Sequence, residues 1–144
     1  MLKEGEIRIP SGCAIAAIID RKGKPVNGSE IIKSIALMHD RSNGLGGGFA
    51  AYGIYPEHKN DYAFHVFYDN KEARQACEEF LFKHFNIDVA ERIPTKKVES
   101  INNGPDIWRY FGTANRVRMN NARLDEEEYV ARSVTNVNLS LIHI

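Results

Sequence analysis

The chain has 144 residues, enough for one globular domain or part of a larger one, and 43% of them are hydrophobic, so a packed core is possible. Lys plus Arg and Asp plus Glu both number 19; the formal net charge is zero, with no basic field to hold a nucleic-acid backbone. No apolar run approaches the ~20 residues of a membrane helix, and Lys3, Glu4, Glu6 and Arg8 interrupt the apolar stretch of ~7–15 residues that a signal peptide needs. These features lead us to expect a cytoplasmic protein with no membrane or nucleic-acid partner, whose two cysteines, Cys13 and Cys77, are free thiols.

Residues 13–19, Cys-Ala-Ile-Ala-Ala-Ile-Ile, form a short apolar run that predicts a buried strand ending at Asp20, with a turn over 21–25. Ile31, Ile35 and Met38 recur at helical spacing, with Ser29 as the expected cap. Ser42 to Gly48 is a glycine-rich loop. Phe49 to Tyr55 and Tyr62 to Tyr68, rich in aromatic and β-branched residues, read as two strands joined by a hairpin over Pro56 to Asp61. Asp69 is the expected cap of the next helix, with Glu72 in its first turn and Ala73, Cys77, Phe80, Leu81 and His84 on one face. Asn86 ends that helix, and Ile87 to Ile93 follows as a strand stopped by Pro94. Asn102-Asn103-Gly104-Pro105 is a turn, and Asp106 to Phe111 holds the single tryptophan. A last helix is predicted from about Leu124 to Thr135, with Asp125, Glu126 and Glu127 at its positive end. The final six residues, Leu139-Ser140-Leu141-Ile142-His143-Ile144, match one reading frame of a transposase adapter used in preparing sequencing libraries. The expectation is a non-native tail over 139–144 on a natural chain cut at about Asn138.

Chemistry in this sequence centres on Cys13, which has two readings. A free cysteine in an apolar run is commonly a small core residue. Alternatively it is a nucleophile. No histidine adjoins it in sequence, but cleavage before Cys13 would free its own α-amine, whose pKa near ~7.7–8 suits a base at neutral pH. The glycines from 44 to 48 also have two readings: a tight backbone path, or a loop lining a pocket beside Cys13 with Arg41. No Gly-Lys-Ser/Thr follows them, so they are not a phosphate loop. The five histidines show no metal-ligand spacing, so no metal and no cofactor is expected. His65, Cys77, Trp108, Tyr110 and Phe111 are read as structural, and Glu126 to Glu128 as a solvated helix start.

Pro10-Ser11-Gly12-Cys13-Ala14-Ile15 resembles the start of a class II, N-terminal-nucleophile glutamine amidotransferase with a short propeptide, although Ala14 stands where that family commonly has glycine. The run from Met38 to Pro56, with Arg41, Gly46, Gly47, Gly48 and Phe49-Ala50-Ala51-Tyr52-Gly53, is a more specific likeness to the glutamate-synthase-like branch. Tyr62 to Asp69 and Arg123 to Ser133 continue it, so the resemblance covers residues 10 to 136. It implies an α+β fold, part of an α/β/β/α sandwich of the N-terminal-nucleophile hydrolase type, with residues 1–12 as a leader and 13–138 as the N-terminal part of the amidotransferase domain. It implies that Cys13 attacks the side-chain amide of glutamine, and that the ammonia passes to a partner synthase domain or subunit. The family's glutamine-binding arginine lies in a His-Gly-Arg-like segment and its oxyanion donors in a His-Asn-Gly-like segment. Neither occurs here, so the fragment is expected to be inactive alone. Asn27-Gly28, Asn43-Gly44 and Asn103-Gly104 do not follow a histidine and read as turns.

A second reading needs no catalysis. The expected order over residues 13 to 93 is strand, helix, strand, strand, helix, strand, which is also that of a ferredoxin-like, small-molecule-binding regulatory module.

Overall fold

The computed structural model describes residues 13–41, 47–97, 99 and 104–141. The expected leader (1–12), Asn43-Gly44, Gly46, Asn102-Asn103 and the last three residues lie outside the described residues. The chain divides into two compact units, Met1–Tyr52 and Gly53–Ile144.

In the first unit the regular element is helix α1, Gly28–Ala36. Its cap is Asn27, not Ser29: the Asn27 backbone is extended and its side-chain oxygen accepts from the Ser29 N–H at 2.9 Å. Both residue types cap well, and the one placed just before the helical backbone takes the role, so this Asn-Gly pair starts a helix. The turn over 21–25 forms as expected. The Asp20 carboxylate accepts from the backbones of Lys22 and Lys24, while Gly23 adopts the left-handed conformation, φ +68°. The strand expected over 13–19 is absent. These residues have no ladder partner, Cys13 is exposed, and Ile15 and Ile19 are each 85% exposed. An apolar run states only that a segment favours burial; a strand also needs a neighbour for its backbone.

The strand expected over Phe49 to Tyr55 does not form either, and the hairpin over Pro56 to Asp61 goes with it. Gly53 takes φ +70°, and Pro56–His58 is a single 3-10 turn that proline starts.

In the second unit the elements are β1 (Tyr62–Tyr68), α2 (Lys71–His84), β2 (Phe85–Arg92), β3 (Asp106–Ala114), α3 (Arg116–Ala122) and α4 (Glu126–Asn136), followed by a π-helical turn, Val137–Leu141. The three strands form an antiparallel sheet in the order β1-β3-β2, so the fold is α+β. The outer strands are therefore parallel to each other, linked by α2, with β3 inserted between them. The element order expected over 13 to 93 is thus not found there. Residues 62 to 136 instead run strand, helix, strand, strand, helix, helix, the ferredoxin-like order with one additional helix and without its last strand.

Period-2 alternation builds the core. Phe64, Val66 and Tyr68 of β1 register against Tyr110, Trp108 and Asp106 of β3 on the face that meets the helices. Cys77 and Leu81 of α2, Phe85 of β2, Ala114 of β3 and Tyr129 of α4 close that core. Asn70, not Asp69, caps α2, accepting from the Ala73 N–H at 2.7 Å. The helix stops before Asn86, because Phe85 turns directly to extended backbone and buries its ring against Phe64 and Tyr129. Helix α3 has no clear apolar period, so its sequence does not announce it; Asn115 caps it and Arg123 ends it in the left-handed region, φ 56°. Helix α4 begins as expected, with Asp125 accepting from the Glu128 N–H.

Gly112 of β3 faces Ile87, where the β2 register shifts between Ile87 and Val89. A Cβ there would stand 2.3 Å from the Asn86 carbonyl oxygen and 2.9 Å from the Ile87 Cα, both backbone atoms. Gly112→Ala is therefore expected to destabilise the chain by roughly 2–3 kcal/mol, the upper range of overpacking, read by denaturant unfolding. A pH effect follows from His84, whose Nδ1 lies 2.8 Å from the Tyr129 hydroxyl. Burial, then the positive charges of Arg118 and Lys83, hold its pKa below the ordinary 6.5. The unfolded chain binds more protons in this window, so the contribution of His84 is complete above pH 6.5 and is lost as pH falls through the folded value. The unfolding midpoint is expected to fall between pH 7.5 and 5.5, with a shallower slope in His84→Gln.

Candidate functional site

Cys13 lies in the first unit as an exposed free thiol with no hydrogen-bond partner among the described residues. Its reading as a buried core residue is therefore wrong. Arg41, also exposed, ends a 3-10 turn, His39–Arg41, with its backbone N–H on the Met38 carbonyl at 3.0 Å. A Cβ built on Gly47 or Gly48 would meet nothing within 4 Å. Close approach to a neighbour is thus not what these two glycines serve. No hydrogen bond joins Cys13 to Arg41, Gly47 or Gly48 among the described residues.

Cys77 is the opposite case. It is 1% exposed in the core of the second unit, where burial pushes its thiol pKa up. Tyr110 and Phe111 are buried as expected, and Trp108 is half-buried beneath the Arg74 guanidinium, 4.3 Å from its ring centroid. The Trp108 indole N–H donates to Asp106, which also pairs with Arg92; these two bonds, largest first, hold the Asp106 carboxyl below the usual range.

On the sheet face away from the helices the fold assembles a group that sequence reasoning does not join. His65 of β1 registers directly opposite Arg109 of β3. The Tyr55 hydroxyl lies 2.9 Å from His65 Nε2 and accepts from Arg109 at 3.2 Å. Arg109 also pairs with Glu91, and hydrogen bonds to Tyr55 and then Glu91 raise its pKa. Alongside, His58 stacks on Phe111, centroids 3.8 Å apart at 7°, with Nδ1 2.8 Å from the Asp61 carboxylate. A carboxylate-oriented imidazole is a general base in form. These contacts hold residues 55–61 against the sheet. The one signal available in advance was the alternation of His65 with Phe64 and Val66, which puts it on the outer face.

A groove of about 350 Å3 runs beside the free edge of β1, between that strand and the ends of α2 and α4. Among the described residues, no three His, Cys, Asp or Glu side chains are grouped to hold a metal, and no helix is long and apolar enough to cross a membrane.

No family model and no solved structure matches the chain. An uncharacterized protein of Archaeoglobus fulgidus is 38% identical over 131 residues, covering 90% of this chain and 34% of its own length. The chain thus spans about a third of that relative.

The two cysteines make the geometry testable. Under native conditions iodoacetamide is expected to alkylate Cys13 at once and Cys77 roughly 100-fold more slowly or less, since Cys77 reacts only through opening of the core. Peptide mass spectrometry over time gives both rates.

Proposed function

We propose that this chain is the N-terminal part of a class II glutamine amidotransferase of the glutamate-synthase-like branch. The observation that carries the reading is the run from Met38 to Pro56, downstream of an exposed, unbonded Cys13. On this reading residues 1–12 are removed and the new α-amine of Cys13 takes the thiol proton. The thiolate sulfur bonds to the glutamine amide carbon, and ammonia leaves with the transferred proton. Water then cleaves the γ-glutamyl thioester to glutamate and restores the thiol. Arg41 and Gly46 to Gly48 line the pocket, and a synthase domain or subunit receives the ammonia. The described units would belong to an α/β/β/α sandwich.

The arginine and the Asn-Gly donors that the family uses for glutamine and for the oxyanion have no counterpart in this sequence. Loss of one oxyanion donor costs ~100–1,000-fold in rate, and loss of the clamp adds to it. Expected outcomes are therefore a mature N-terminus at Cys13 in the intact parent protein, covalent labelling of Cys13 there by a glutamine-analogue electrophile, and no measurable glutamate release by these 144 residues. Glutamate release by the isolated chain at the rate of a complete domain would sink the proposal, as would an unlabelled Cys13 in the parent.

One observation favours a second reading. The element order of residues 62 to 136 follows a ferredoxin-like module except for the additional helix α3 and the lack of a fourth strand among the described residues. A regulatory binding role for that unit predicts an inert Cys13, so the same labelling separates the two.

A further inference from the structure

We infer that the free edge of β1 is the seat of a fourth, antiparallel strand, supplied by polypeptide that follows α4 in the full-length protein. This holds or fails independently of the amidotransferase reading.

The two edges of the sheet differ. β2 is guarded in the usual ways: its register breaks between Ile87 and Val89, and it carries Asp88, Glu91 and Arg92. β1 has none of these devices. It pairs without a break over seven residues, Tyr-Ala-Phe-His-Val-Phe-Tyr, with no acidic residue, lysine or proline. A long uncharged edge is a template for another strand. The groove beside it has the matching form. Five consecutive residues of β1, from Ala63 to Phe67, line it. Consecutive residues point to opposite faces, so the groove follows the backbone edge and is not a pocket on one face. Its other wall is apolar, with Leu81 of α2 and Val134 of α4, and Val137 and Asn138 just beyond α4. The chain leaves α4 at the mouth of the groove. Phe67 and Val134 stand 63% and 40% exposed in this wall, apolar surface that a strand would cover. Topology selects the same occupant. Strand, helix, strand, strand and two helices, with the sheet in the order β1-β3-β2, lack one strand of the ferredoxin-like set, and β1 offers the unguarded edge for it. About two-thirds of the Archaeoglobus relative lies outside its alignment with this chain.

The test replaces residues 139–144 with a Gly-Asn-Gly turn and a seven-residue alternating Thr-Val strand. A control carries proline at two of the valines, which cannot donate to a ladder. Hydrogen exchange is followed by mass spectrometry on the monomeric fraction. The intact extension is expected to slow exchange over Tyr62–Tyr68 about tenfold or more, with Phe85–Arg92 unchanged and the proline control without effect. Unchanged exchange in β1 overturns the proposal. So does equal slowing by both extensions, which would be apolar crowding, or protection of β2 in place of β1. If the unextended chain already protects β1 and loses that protection on dilution, the occupant is a second copy and the proposal also fails.

Discussion

Both outer strands of the sheet hydrogen-bond to β3 and neither to the other, so the second unit depends on the pairing of one nine-residue segment, Asp106–Ala114. At its centre Tyr110 is fully buried, and a buried phenol needs a partner. The Tyr68 hydroxyl donates to that of Tyr110 at 3.0 Å, and Tyr110 donates to the Glu78 carboxylate at 2.9 Å. This chain of donors links β1, β3 and α2 and ends on a charged group that Arg74 also meets. Burial, the largest cause for both, pushes the two tyrosine pKa values up, so both stay protonated and able to donate. One residue along the same side, Gly112 provides the room that the irregularity in β2 requires.

The two faces of β3 serve different purposes. Toward the helices it carries Trp108, Tyr110 and Ala114 into the core. Away from them, Arg109 and Phe111 hold Tyr55 and His58, so aromatic stacking and charge-assisted hydrogen bonds, not aliphatic packing, anchor that segment. Packing and hydrogen bonding thereby account for His58, His65, His84 and the buried cysteine of the second unit. The thiol left without such a task is Cys13, in a unit whose helix buries no residue and whose Ile15, Ile19, Leu37 and Phe49 are exposed. Exposed apolar surface of that kind commonly marks an interaction site.

Local sequence determined those elements whose signals are local. Helix α4 was legible because Asp125 and three glutamates mark its start, and α2 because Cys77 and Leu81 fall on one face. Strand β1 was legible from its run of aromatic and β-branched residues, and the turn after Asp20 from the glycine and proline of residues 21–25. Cys77 was legible as a core residue from its place on an apolar helix face, and it is buried there. Tertiary structure alone decided whether an apolar run becomes a strand, since 13–19 and 49–55 have the composition but no ladder partner among the described residues. It decided that Phe85 leaves the helix at once, because its ring is needed in the core. It also brought Tyr55, His58, His65, Glu91 and Arg109 together, through the register of β1 and β2 on β3. The physical reason is common to all three: caps and turns are satisfied within a few residues, whereas ladder bonds, core contacts and cross-strand pairs need a partner that sequence distance does not reveal.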